Sequence, residues 1–367
     1  MRLQFPIIRI VADRDIEGIA KLKLEDGDES GLWRNRFGWQ YANNPARISE
    51  KPLGWVIEAA DGTIKGCRMA IPHRFKILNS ECYVPFAADT YVHTDIRKQN
   101  LGYQIYGAFF SAQKGGLALT SSANEVTEYI MLNKFSAISI GELGISYLYL
   151  FNSGRIFQQA FIRRFPKLWF GVPAVLSVGR LGDMVNKMRL PELPDTIECT
   201  TVQHDDSCLD DVWLRYRSHY RITVVRDSPY RQWRYGDIPG TKPMMWWVKD
   251  TRSGAVAWFS ARITPLRKNA EVQKFELLDM FGPIDNPVFQ KHTLICAIRQ
   301  GLNAGVDVLE VKGLHPSWRA HLPSLGFIAR KMPCNPFLCK NSGPIDGAVL
   351  RQAQTFHITC ADGDIAI

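Results

Sequence analysis

The period of the apolar positions changes repeatedly along the chain, and each change marks an element. Pro6 to Val11 reads as a short strand. Ile16, Ile19, Ala20 and Leu22 then share one face of a helix that Asp13 can cap and that runs to about Leu24. Trp33, Phe37, Trp39 and Tyr41 mark a second helical stretch that stops before Pro45. Leu53–Ala60 and Thr63–Ile71 predict a hairpin about Asp61–Gly62. Arg74–Leu78 turns at Asn79–Ser80 into a strand that ends at Val92, followed by a polar, basic turn from Asp95 to Gly102. An apolar-faced helix runs on to about Gln113 and closes at Gly115–Gly116. A strand at Leu117–Ser122, a helix at Asn124–Phe135 and a strand-rich run to Leu150 complete this half.

The second half repeats the first. Trp39-Gln40-Tyr41 with Pro45 matches Trp233-Arg234-Tyr235 with Pro239, and Trp55 stands before Gly62 as Trp247 stands before Gly254. Asp89 to Ala118 and Asp279 to Val308 have equal lengths, and Phe135 falls on Phe327. Offsets stay between 190 and 194 residues. Several matches in one register predict a duplicated domain.

The turn between the strand ending at Val92 and its helix carries the most chemistry. The first amides of a helix lack partners and lie at its positive end, and Arg97 and Lys98 add full charges, so the turn suits a phosphate. Arg97-Lys98-Gln99-Asn100-Leu101-Gly102 resembles the Gln/Arg-x-x-Gly-x-Gly/Ala signature of the GNAT superfamily of acyl-CoA N-acyltransferases. Asn100 stands where that signature has its middle glycine, and Asn tolerates left-handed backbone better than most residues. With the repeat, the resemblance implies an α/β (mixed α+β) protein of two tandem GNAT-like domains, each a central mixed sheet flanked by helices. It divides the chain into a domain with the acyl-CoA site (1–150), a basic helical connector (151–194) and a degenerate second domain (195–367). Mycothiol synthase and the Fem-type aminoacyl transferases are similarly duplicated. The corresponding turn of the second half, Gly282-Pro283-Ile284-Asp285-Asn286-Pro287, is acidic where the first is basic.

The resemblance implies transfer of an acyl group, acetyl above all, from acetyl-CoA or another acyl-CoA to a small-molecule amine, such as an amino sugar or cell-envelope precursor. Arg97, Lys98, Gln99, Asn100, Leu101 and Gly102 would then hold the cofactor. Such chemistry needs a base for the amine and an acid for the leaving thiolate. Asp89 is the candidate base by its place late on the strand, with a hydrogen-bonded structural role as the competing reading, and Glu125, Glu128 and His93 are alternatives. Tyr129, the tyrosine of the Asn124–Phe135 helix, is the candidate acid, one residue off the family position at Ile130, with packing against the sheet as the competing reading. A Fem-type transferase using aminoacyl-tRNA and a non-catalytic GNAT-like scaffold remain as alternatives.

Bulk properties narrow this further. The 367 residues suffice for two cores, and eight scattered cysteines without a Cys-x-x-Cys pair show no zinc spacing. Asp362-Gly363-Asp364 lacks the rest of a calcium loop, so no metal is expected. Of the net charge of +9, +6 lies between Phe151 and Leu190: Arg155, Arg163, Arg164, Lys167, Arg180, Lys187 and Arg189 against Asp183. So local an excess argues against a nucleic-acid-coating protein. Two basic, apolar-faced helices, Phe151–Arg164 and Phe170–Met188, are predicted there, either as a brace between domains, as a dock for an acyl carrier protein, or as an interface on an anionic membrane. Without a signal peptide or a spanning run the expected location is bacterial cytoplasm, at most peripheral to the inner membrane face.

Overall fold

The computed structural model describes residues 6–363 except 26, 28–32, 114, 122, 141–144, 166–170, 267–268, 332–337, 342, 344 and 353–354. In the first half β1 (Ile7–Ile10) leads to α1 (Ile16–Glu25) and α2 (Trp33–Phe37), which widens into a π-helical turn over Gly38–Ala42. Next come β2 (Gly54–Glu58), β3 (Ile64–Ile77) and β4 (Ser80–Val92). The two strands expected over 63–78 are therefore one, long enough to carry the sheet beyond the local hairpin. A 3-10 turn (Thr94–Gln99) feeds α3 (Leu101–Ser111), followed by β5 (Leu117–Thr120), α4 (Glu125–Phe135), β6 (Ile138–Ser139) and β7 (Ile145–Leu150). The connector forms α5 (Ser153–Arg164) and α6 (Val172–Arg189).

The second half follows the same plan: β8 (Ile197–Val202), α7 (Ser207–Tyr216), a short added β9 (Ile222–Val224), then α8 (Ser228–Arg231) with its own π-helical turn over Gln232–Gly236. β10 (Met244–Asp250), β11 (Val256–Leu266), β12 (Asn269–Phe281), α9 (Pro287–Asn303), β13 (Val308–Lys312), α10 (Pro316–Arg319) and β14 (Ile328–Lys331) complete the correspondence. β15 (Leu338–Asn341), α11 (Gly347–Arg351) and β16 (Phe356–His357) end the chain.

The sheets do not respect a boundary at residue 150. β7 leaves the first half and pairs antiparallel with both β13 and β14 of the second. Reciprocally, β15 pairs antiparallel with β5 and β6 of the first. The sheet orders are β1-β2-β3-β4-β5-β15-β6, with β9 and β16 attached through β3, and β14-β7-β13-β12-β11-β10-β8. Each half thus supplies the strand that fits between the fifth and sixth strands of the other. β7, which the division at 150 leaves with the first domain, thus joins the second sheet: periodicity identifies it as a strand but carries no information on which sheet it joins.

The two halves also meet at the repeated tryptophans. Trp39 Nε1 donates to the Trp233 carbonyl at 2.6 Å and Trp233 Nε1 to the Trp39 carbonyl at 2.7 Å, with the rings stacked at 5.2 Å. This reciprocal pair marks a local pseudo-two-fold axis. One apolar core spans the join, from α1 and α2 through Phe75 and Phe86 to Trp213, Tyr220 and Phe281. A second lies between the second sheet and α9, and a third between the first sheet and α3 and α4.

Candidate active site

The basic turn forms as the sequence implies. Asn100 has φ 58°, a left-handed conformation that Asn adopts at low cost, and it makes no side-chain cap on α3. The first intrahelical bond of this end runs from Gln104 N–H to the Asn100 carbonyl. The N–H groups of Leu101, Gly102 and Tyr103 precede it, at the positive end of the helix. Arg97, Lys98, Gln99 and Asn100 are exposed, whereas Leu101 is buried and anchors the turn. Arg97 Nε donates to the Val92 carbonyl at 2.8 Å and its guanidinium lies over Tyr91, which fixes the charge beside the turn. A Cβ on Gly102 would meet only Val92 at 3.8 Å, so this face of the first helical turn is open.

About one turn further along α3, Tyr106 borders a cavity of about 210 Å³. Its cause is a splay in the sheet. β4 and β5 run parallel but pair only at Phe86 and Leu119. Beyond Phe86, β4 also bulges against β3 between Cys67 and Met69, where Asp89 takes φ 47°. The opening is lined on the α1 side by Lys23 and Asp89, and on the α3 and α4 side by Arg68, Tyr106, Asn124 and Thr127. It passes between the strands and so joins the two faces of the sheet.

Arg68 is the unusual group. It is 1% exposed, yet its only hydrogen bond among the described residues runs from Nη1 to Thr90 Oγ1 at 2.8 Å. The guanidinium carbon lies 3.7 Å from the centre of the Tyr106 ring, and Nε and Nη2 have no acceptor. Burial lowers its pKa, with Tyr106 opposing, but an arginine stays charged at neutral pH. A buried cation without a counter-ion among the described residues, beside a cavity, is set up to receive negative charge. Tyr106 Oη and Thr127 Oγ1 share a hydrogen bond of 2.9 Å at the same wall.

The sequence-predicted catalytic residues fare differently. Asp89 does line the cavity, but both its oxygens are taken: Arg36 donates at 2.6 Å to one and Tyr41 at 2.6 Å to the other, and Lys23 lies 3.5 Å away. Burial raises its pKa, but Arg36, Lys23 and Tyr41 outweigh that and leave it lowered. Asp89 is thus a structural anion, not a poised base. His93 caps the 3-10 turn by accepting from Asp95 N–H, and pairs with Asp95 at 3.0 Å and Glu25 at 3.4 Å, so it belongs to the turn and not to the cavity wall. Tyr129 is 60% exposed on the outer face of α4, where neither acid chemistry nor packing against the sheet is available to it. Position along the strand and helix could not reveal these partners. Arg68 and Tyr106 were missed, although a lone arginine inside the apolar run Cys67–Ile71 was the available signal.

The second half supplies its aspartate with a different cation. Asp279 accepts from Tyr235 at 2.7 Å, as Asp89 does from Tyr41, but Arg226 fills the site and pairs at 2.8 Å with both Asp279 and Asp362. Tyr230 also donates to Asp362 at 2.8 Å. Asp362 is therefore a structural anion, and Asp364 lies outside the described residues. Among the described residues no group of three or more His, Cys, Asp or Glu is arranged to hold a metal ion. At the turn into α9, Asp285 faces His219 at 3.4 Å where the first half presents cations. A larger hollow of about 440 Å³ lies on the α1 side, lined by Arg9, Asp15 and Glu58 among others. Its Arg9 is already paired with both carboxylates.

No protein-family model matches the chain, and no characterised protein matches it in sequence. Solved structures match it in fold. A probable N-acyltransferase from Enterococcus faecalis is 10% identical and superposes with a TM-score of 0.59, covering 93% of this chain and 73% of that one. Saccharomyces cerevisiae N-myristoyltransferase with bound myristoyl-CoA is 12% identical at a TM-score of 0.56, covering 93% and 80%. A GCN5-related N-acetyltransferase from Anabaena variabilis is 8% identical at 0.59, covering 92% and 73%. The tandem GNAT-like fold expected from the sequence is the fold of this chain.

Proposed function

We propose that the protein is an N-acyltransferase that moves an acyl group from acyl-CoA to an amine, using the first half as its donor site. The observation that carries this reading is an open, cationic helix N-terminus that stands about one helical turn from a sheet splay, where a buried arginine has no carboxylate partner among the described residues. A diphosphate suits the Arg97–Gly102 turn, and an extended thioester arm suits the gap between β4 and β5. The neutral amine attacks the thioester carbon to give a tetrahedral intermediate, and the carbon–sulfur bond then breaks. Arg68 receives the negative charge that develops, Tyr106 with its Thr127 partner protonates the leaving thiolate, and water takes the proton of the amine. The hydroxyl-rich wall of Thr90, Tyr106, Thr120 and Thr127 suits a hydroxylated amine such as an amino sugar or envelope precursor.

Thermal unfolding with CoA, acetyl-CoA and longer acyl-CoAs tests the donor site, because a ligand held only by the folded state raises the melting temperature. The wild type responds; Gly102→Glu, which puts an anion on the phosphate face, does not. An unresponsive wild type overturns the reading. A second reading, a GNAT-like scaffold without catalysis, draws support from the full engagement of Asp89. Acyl-CoA binding without thiol release in the presence of any amine would favour it.

A further inference from the structure

The connector helices carry a surface that donor chemistry does not need. They pack antiparallel and closely: a Cβ on Gly179 would lie 2.3 Å from the Gly154 backbone, and Gly171 faces Phe161. They are tied to the body of the second sheet through Tyr149 Oη of β7 to the Asn186 carbonyl, Gln159 to Glu271, and Arg155 to Asp307. Their outward side is apolar. Val178, Leu181, Met184 and Met188 are 66%, 60%, 53% and 78% exposed, and Val185 is also exposed. At 100° per residue these five share an arc of about 120° on α6. Arg180 and Lys187 border the same arc, both exposed. The single acid of α6, Asp183, turns inward to accept from Ser153 N–H at 2.7 Å. The end of α5, packed beside the start of α6, adds exposed Ile162, Arg163, Arg164 and Phe165. Among the described residues Arg163, Arg164, Arg180 and Lys187 have no carboxylate partner.

A wholly solvated brace has no use for this many exposed apolar side chains on one face, and a carrier-protein dock built on charge alone does not need them either. An apolar helical face flanked along one side by cations, with the acid of α6 turned inward, is complementary to the headgroup region of an anionic bilayer, where the side chains enter the acyl boundary and the cations meet phosphate. We propose that α5 and α6 seat the protein on anionic lipid, with Val178, Leu181, Val185 and Met188 inserted and Arg163, Arg164, Arg180 and Lys187 at the headgroups.

Co-sedimentation of the full chain with phosphatidylcholine vesicles, with and without phosphatidylglycerol, tests this without any acyl-CoA present, so its outcome is independent of the proposed activity. Binding is expected to anionic vesicles and to weaken as salt shortens the Debye length from about 10 Å to about 3 Å. Each lost cation should lower partitioning about fivefold, so Arg163→Gln/Arg164→Gln loses about 25-fold. Leu181→Ser/Met188→Ser should lose binding while keeping its melting temperature, since both residues are exposed. Four results overturn the proposal: no binding by the wild type at low salt, binding unchanged in both variants, self-association abolished by Leu181→Ser/Met188→Ser without lipid binding, or capture of an acidic carrier protein in place of vesicles.

Discussion

Replacing Arg68 by methionine should make the empty protein more stable and the proposed acyl transfer slower. In the ligand-free chain the guanidinium keeps one charge-assisted hydrogen bond, to Thr90 at 2.8 Å, and one ring contact, to Tyr106 at 3.7 Å. Contacts of these kinds contribute about 1.5–3 and about 2 kcal/mol. Against them stands the cost of burying a cation, several kcal/mol even after relaxation, with two N–H-bearing nitrogens left bare. Methionine has a similar reach and no charge to desolvate. The balance favours it by about 1–3 kcal/mol, which raises the melting temperature by a few degrees. Turnover should fall about 10²–10³-fold, the cost of removing one preorganised group from developing charge. Arg68→Lys keeps the charge but loses the planar fork, and should lie between. Urea titration gives the stability, and release of CoA thiol from acetyl-CoA with a panel of small amines gives the turnover. A less stable Arg68→Met with unchanged thiol release would show that Arg68 braces α3 against β3, and would refute the reasoning.

Other consequences follow from the same geometry. Asp89→Asn should cost about 3–5 kcal/mol in denaturant titration, because Arg36 and Lys23 lose their shared anion. A neutral result would mean that these cations find water instead. Glu276 is held at about 2 by Lys274, Arg262 and Lys312 against its burial. Its folded pKa lies below the unfolded one, so its stabilisation is complete above about pH 4.5 and is lost as pH falls towards 2. Glu276→Gln should therefore flatten the acid limb of a stability–pH curve, and an unchanged limb would contradict the assignment. Trp39→Phe and Trp233→Phe should couple by about 0.5–3 kcal/mol in a double-mutant cycle, since each indole bonds the other's backbone; strict additivity would deny the join. Residues 1–150 and 195–367 expressed separately should give no cooperative unfolding transition, because each fragment lacks a strand that the other carries.

Features set by local rules were legible in the sequence. The repeat register found both Trp-x-Tyr turns, and the strand–turn–helix around Asn100 formed with the backbone that an asparagine there implies. What periodicity could not convey was partner choice. β7 alternates as a strand whichever sheet it enters, and Asp89 and His93 look like equal candidates until Arg36, Tyr41 and Glu25 are brought to them by tertiary packing. Tyr129 failed for a rotational reason. Position 130 is partly buried in the core under α4, and one residue's turn of about 100° carries Tyr129 out to solvent.

The two halves show why a shared scaffold can hold one working site. Each places an aspartate on its bulged fourth strand and ties it to a tyrosine from a π-helical turn. This pairing is common to both and so belongs to the architecture. What differs is the cation. In the second half Arg226 lies fully buried between two carboxylates, Asp279 and Asp362. In the first half the anion is satisfied from α1 and α2, while the buried Arg68 lies on the opposite face with no anion of its own among the described residues. Separating cation from carboxylate across the splay leaves both a cavity and an unmet charge, which is what an enzyme stabilising a transient anion requires. Supplying a counter-ion should then close the site. Thr90→Asp is predicted to pair with Arg68, to raise stability in urea titration, and to abolish the thermal response to acetyl-CoA. A Thr90→Asp protein that still responds to acetyl-CoA would place the donor elsewhere.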